Sequence, residues 1–251
     1  MAQQLGVVNF RGSIGDLTYV RTEDGYHVRR KSSLDKARVL TDKRFAGSRR
    51  ASREFAAAAN AGKVARQAVL RTLMNAGDSK LHSRMLKQMM DIIKTDAVSK
   101  HGERRPELGN FDLLRGFEFN NKNALIHTFL APYRAAVDRT AGTASVRFPA
   151  FDPDDHLLIP ETATHFKLLI ATAELDFTMK RSFAAFAESP YFSVKANEIS
   201  EFELSQNIDP AGTLPVILVL GIRFYKITNG KYYQLHADDF NAVRIVATAA
   251  N

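Results

Sequence analysis

Cysteine and tryptophan are absent from the 251-residue chain. The missing thiols exclude disulfides, thiolate metal sites and a cysteine nucleophile. No Asn-X-Ser/Thr sequon occurs. Long apolar runs are also missing. The longest, residues 214–222, spans nine positions and is interrupted by Pro215, whereas a membrane-crossing helix needs about 20. Residues 1–5 show no basic stretch followed by an apolar one, so no Sec-type signal is visible. The expected setting is cytoplasmic, or release without a classical signal, with no membrane span.

Catalytic signatures are equally scarce. Gly62-Lys63 lacks the Gly and Ser/Thr that a phosphate-binding loop needs, because Ala57 and Val64 stand there. Neither Gly-x-Gly-x-x-Gly nor Gly-x-Ser-x-Gly occurs. The seven histidines, His27, His82, His101, His127, His156, His165 and His236, form no His-Glu-x-x-His pattern. Gly12-Ser13-Ile14-Gly15 has the Gly-x-x-Gly spacing of a KH loop, but a strand follows where that module needs a helix. Asp152, Asp154 and Asp155, beside His156, are the best metal candidates. They lack the Gly and Glu of an EF-hand loop and read first as a solvated connection. No enzyme, cofactor or bound metal is expected.

What is present is a core and a charge asymmetry. Seventeen Phe and seven Tyr supply ample side chain to bury. Net charge is +8, unevenly spread: residues 1–105 hold 22 Lys/Arg against 10 Asp/Glu, and residues 106–251 hold 13 against 17. Such opposition suits either a polyanion partner or head-to-tail contact between copies.

The chain reads as three regions: 1–33, an extended arm with a β-hairpin; 34–109, a basic helical segment; and 110–251, an antiparallel β-sandwich. In the arm, residues 17–22 and 26–31 flank Glu23-Asp24-Gly25, where Asp-Gly supplies the positive φ of a tight hairpin. A hairpin alone is marginal in water, so this one must pack on something. Helices are expected over 42–60, with Thr41 as N-cap; over 63–75, stopped by Asn75-Ala76-Gly77; and from Asp78 or Ser79 to about 97. In the first, Phe45, Ser52, Phe55, Ala56 and Ala59 share a 100° arc and should face the core. Met85, Met89 and Met90 read as ordinary core at helical spacing. Residues 101–106 break the pattern as a linker.

Beyond residue 110 the period shortens to two. Strands are expected on either side of Thr140-Ala141-Gly142, over 166–177, 199–204 and 216–227, after the Asn229-Gly230 turn, and over 243–248. The fold class is therefore α+β: arm and helices followed by an antiparallel sandwich.

The site-like feature is cationic: Arg29, Arg30, Lys31, Lys43, Arg44, Arg49, Arg50 and Arg53. These could neutralise nucleic-acid phosphates, or serve as interface ion-pair partners, for which arginine is well suited. The lead-in Gly12-Ser13-Ile14-Gly15, the run Arg49-Arg50-Ala51-Ser52-Arg53-Glu54-Phe55 and the stretches Ala163-Thr164-His165-Phe166-Lys167-Leu168 and Gly221-Ile222-Arg223-Phe224-Tyr225 give a further clue. In these the chain resembles a group of uncharacterised Bacteroidota proteins. That resemblance implies only that arm, helices and sandwich travel together, and brings no functional residues. The leading expectation is a structural protein that self-assembles with other copies through its arm, as a filament, tube or phage-like particle subunit. The alternatives are nucleic-acid binding by the basic helices, and carbohydrate or peptide binding near Tyr225, Tyr232 and Tyr233.

Overall fold

Two kinds of side-chain pattern meet in this chain, and the computed structural model separates them into two compact units, Met1–Arg50 and Ala51–Asn251. It describes residues 2–6, 8–31, 35–73, 77–235 and 241–250. The expected stop at Asn75-Ala76 and the histidine at 236 lie outside them.

The first unit opens with an antiparallel sheet of four short strands: β1 (Ala2–Gln3), β2 (Gly12–Ile14), β3 (Leu17–Thr22) and β4 (Gly25–Arg30), in the order β1-β4-β3-β2. The hairpin is where the sequence places it, but its turn chemistry differs. Thr22 pairs with Gly25, leaving Glu23 and Asp24 as the loop. The positive φ falls on Gly25, at +115°, rather than on the loop residues. Gly12-Ser13-Ile14, expected as a flexible or tightly turned lead-in to the hairpin, forms the edge strand β2. Helix α1 (Lys36–Thr41) follows, capped by Asp35, and a 3₁₀ turn (Lys43–Phe45) is capped by Asp42, not Thr41.

Helix α2 (Ala46–Leu73) begins in this unit and continues in the second. It replaces the two helices expected on either side of residue 61. Glycine in a helix interior costs about 1 kcal/mol relative to alanine, which is why Gly62 reads as a break. Here it serves packing: a Cβ at Gly62 would lie 3.2 Å from Met85 Cγ. Met85 and Met89 of α3 (Leu81–Lys94) are fully buried beside the Ala58, Ala61, Ala65 and Ala68 stripe of α2. The expected cap Asp78 sits just ahead of α3, with its carboxylate spent on Lys80 N, Asn121 N and Arg84.

The second unit is three-layered. Its strands are β5 (Arg134–Asp138), β6 (Thr143–Phe148), β7 (His165–Asp176), β8 (Arg181–Glu188), β9 (Phe192–Ser193), β10 (Phe202–Asn207), β11 (Val216–Thr228), β12 (Lys231–Gln234) and β13 (Ala242–Ala249). The central sheet runs β8-β7-β11-β13, with β9 beside β7 and β12 beside β11 at the other end. The small sheet runs β10-β6-β5. All pairings are antiparallel. Asn229 and Gly230 both have positive φ, 51° and 73°, as a type I′ turn requires.

Alternate residues of the central strands face opposite layers. Ile170, Leu218 and Leu220 pack with Val146 and Phe148 of the small sheet. Leu169, Ala171, Ile217, Val219 and Ile245 pack with α2 and α3. The near-continuous apolar runs in β7 and β11 reflect burial on both faces. The fold is therefore α+β, a sandwich whose larger sheet also carries helices on its outer face.

The segment 96–109 is bound back onto the helices. Gly102 N donates to the buried Glu54 carboxylate at 2.7 Å, and Arg104 and His101 lie 3.8 and 3.6 Å from it. Gly109 lies so close to the end of α3 that an added Cβ would overlap the Ile92 carbonyl oxygen. Its backbone is extended, at φ −92°, so the need is for room. Gly109→Ala should destabilise the fold by about 3 kcal/mol, at the upper end of overpacking penalties. Urea unfolding checks this; an unchanged midpoint would show that the helix end yields freely.

Candidate assembly surface

The strand register of the N-terminal sheet sorts its side chains. Tyr19 lies opposite Val28, Leu17 opposite Arg30, Ile14 opposite Leu17 and Ala2 opposite Val28. One face therefore carries Ala2, Ile14, Leu17, Tyr19, Tyr26 and Val28, with Arg21 and Arg30 at its two ends. Phe10 packs edge-on against Tyr19 with ring centroids 5.7 Å apart. The other face carries Gln3, Ser13, Thr18, Thr22, His27 and Arg29, with Val20 as its one large apolar member.

An amphipathic sheet normally buries its apolar face on a core. In this chain no described residue up to Arg50 is buried. Leu5 is 87% exposed, Ile14 60%, and Phe10 and Leu17 are also exposed. These apolar residues are the functional candidates that sequence reading passed over. The signal was the period-two spacing of Leu17, Tyr19, Tyr26 and Val28 within the hairpin.

Helix α2 corrects a second expectation. Phe55, expected on the core side with Phe45, Ser52, Ala56 and Ala59, is 53% exposed. Ser52 and Ala56 are exposed too. The buried stripe instead runs through Glu54, Ala58, Ala61, Ala65 and Ala68. The buried stripe is thus centred about 150° away from the expected arc, at about 100° per residue. The buried Glu54 is tolerated because its carboxylate accepts from Gly102 N and stands near the Arg104 guanidinium. The apolar arc read from the sequence exists, but the single chain leaves its largest side chain uncovered.

The eight basic candidates divide into two sets. Arg49 is an internal brace, its Nη1 donating to the Val39 and Asp42 carbonyl oxygens at 2.8 Å each. Arg44 pairs with Asp42 at 2.8 Å. That side-chain hydrogen bond, with a second from Arg44 N, holds the Asp42 carboxyl below its usual value. Arg29, Arg30, Lys31, Lys43, Arg50 and Arg53 are exposed and form no ion pair with a described residue. Arg29 and Arg30 stand at the end of β4 on opposite faces of the sheet.

The weaker candidates are used locally. Asp152 caps a helical turn (Pro153–His156) by accepting from Asp154 N, and His156 Nδ1 donates to the Asp152 carbonyl at 2.9 Å. Asp154 and Asp155 are exposed. Among the described residues no group of three His, Asp or Glu could hold a metal ion. Tyr232 stacks on Tyr191 at 3.8 Å, and Lys167 Nζ covers the Tyr191 ring at 4.2 Å. His165 meets Tyr232 edge-on and Tyr225 meets Tyr191 likewise. These rings cover one another, so Tyr191 offers no open face to a sugar. Tyr233 is exposed. No described helix is long and apolar enough to cross a membrane.

Comparison with family models, with curated proteins and with solved structures gave no match. The functional reading therefore rests on geometry and charge.

Proposed function

We propose that this protein is a structural subunit that self-assembles through its N-terminal sheet, building a filament, tube or phage-like particle. The observation that carries this reading is the amphipathic four-stranded sheet with no buried residue in its own unit. Full burial of a Leu, Ile or Phe side chain is worth about 1.5–3 kcal/mol. Covering Leu5, Phe10, Ile14 and Leu17 together therefore supplies a drive that can offset part of the entropy lost on association. A second copy is the favoured cover because the chain carries its own complementary charge: the basic first 105 residues can meet the acidic remainder of a neighbour. A head-to-tail contact of that kind repeats into rings or open filaments. Exposed Phe55 adds apolar area of the same kind.

Exposed Arg29, Arg30 and Lys31 favour a second reading, in which nucleic acid is the partner of the basic residues. One experiment addresses both. Purified, nuclease-treated protein is examined by multi-angle light scattering and negative-stain microscopy. Ordered oligomers are expected. Particles that form only on adding DNA or RNA would give the cationic residues the leading role. A monodisperse monomer at high concentration, with or without nucleic acid, would sink the proposal.

A further inference from the structure

The outer edge of β13 is covered by residues 116–119. Gly116 N and Phe119 N donate to the Ile245 and Val243 carbonyls at 2.8 Å each, and Ile245 N donates to the Phe117 carbonyl at 3.0 Å. This pairing sets Arg115 at the mouth of a cavity of about 340 Å³ between β13 and the start of β5. Its polar side chains are the guanidinium groups of Arg115 and Arg244 and the phenol of Tyr133; no carboxylate lines it.

Arg244 pairs with Glu118, but none of these three side chains donates a hydrogen bond to a described residue. Arg244 has a side chain only 24% exposed, and its Nε stands 3.6 Å from Glu118 Oε1, beyond hydrogen-bond reach. The Glu118 carboxylate already accepts from Leu125 N at 3.0 Å and Ile126 N at 3.4 Å. Arg115 is exposed and forms no ion pair with a described residue. Burial raises the Tyr133 phenol above its usual value, so it keeps its proton for donation. Gly116, at φ +86°, leaves room for Arg244: a Cβ there would lie 3.2 Å from Nη2.

Three donor side chains and no carboxylate around one small cavity are a recognition set for an oxyanion. The geometry points to a binding site for a phosphate or carboxylate group of a small molecule, held by Arg115, Arg244 and Tyr133. Glu118 positions Arg244 from behind and leaves the paired terminal nitrogens for the ligand, as bidentate arginine recognition requires. The site lies wholly in the second unit and does not depend on the assembly reading.

Titration calorimetry with inorganic phosphate and, separately, acetate tests this, against sodium chloride at matched ionic strength. Saturable binding of phosphate or acetate is expected, and the tighter of the two names the class. Arg115→Ala and Tyr133→Phe should each weaken it about tenfold, the loss expected for one charge-assisted or buried hydrogen bond. Arg115 is exposed, so its variant keeps the fold, which circular dichroism verifies. Binding no tighter than that of chloride, or wild-type affinity in the double variant, would overturn the assignment.

Discussion

Ile14→Lys combined with Leu17→Glu is expected to dissociate the assembled protein to monomer while leaving its secondary structure intact. The two residues are cross-strand partners on the apolar face of the N-terminal sheet, and both are exposed in the single chain. Exposed substitutions typically change fold stability by less than about 0.5 kcal/mol. The paired design protects the sheet further, since opposite charges facing each other across strands are mildly favourable. Arg30, opposite Leu17, gains an acidic neighbour as well. At the interface the result is the reverse. Two apolar side chains worth about 1.5–3 kcal/mol each on burial are lost, and two charges must be desolvated. At about 1.4 kcal/mol per factor of ten, the dissociation constant should rise by at least about 100-fold per contact. Sedimentation velocity across a concentration series reads this directly. Particles of unchanged size and stability would show that assembly uses another surface.

The same sheet shows what sequence can and cannot carry. Both hairpin turns are legible because Asp24-Gly25 and Asn229-Gly230 are local signals, although in the first the positive φ belongs to Gly25 alone. The long strands β7 and β11 are legible as apolar runs. Their continuity also signals burial on two faces, so the helical layer over the sandwich was within reach of the pattern. Strand β8 was not: Phe183 and Phe186 are three residues apart, a helical spacing, and both are exposed. The rotation of α2 was hidden because a Glu reads as surface until its partners Gly102, His101 and Arg104, some 50 positions away, are known. The basic candidates were visible as residue types. That Arg49 is consumed by two carbonyls depends on a local helix geometry that composition does not encode. The convergence of Arg115, Tyr133 and Arg244 on one cavity exists only in three dimensions.

Asp96→Ala should cost about 3 kcal/mol or more of stability, the largest effect of any single polar substitution proposed for this chain. Asp96 is 2% exposed. Its Oδ1 accepts from Val98 N at 2.9 Å and Ser99 N at 3.0 Å, and its Oδ2 from Arg105 N at 3.1 Å. Burial alone would raise its pKa, but the hydrogen bonds from Ser99, Arg105 and Val98 outweigh that and hold it at about 2. Removing the carboxylate strands three backbone donors, each costing about 1–3 kcal/mol if left unsatisfied and less where water reaches. Asp96→Asn separates charge from shape. It keeps one acceptor and turns the other toward an N–H as a donor, so an intermediate loss is expected. The acid dependence follows from the depressed pKa. An unfolded Asp titrates near 3.9, so the wild-type advantage over Asn is complete above about pH 4. It declines as the pH falls and is gone below about 2, where the native carboxylate is protonated. Urea unfolding of both proteins between pH 2 and 7 gives the difference curve. A gap that stays constant down to pH 2 would mean that Asp96 holds the turn by packing, and that the segment after α3 is anchored through Glu54 and Gly109 instead.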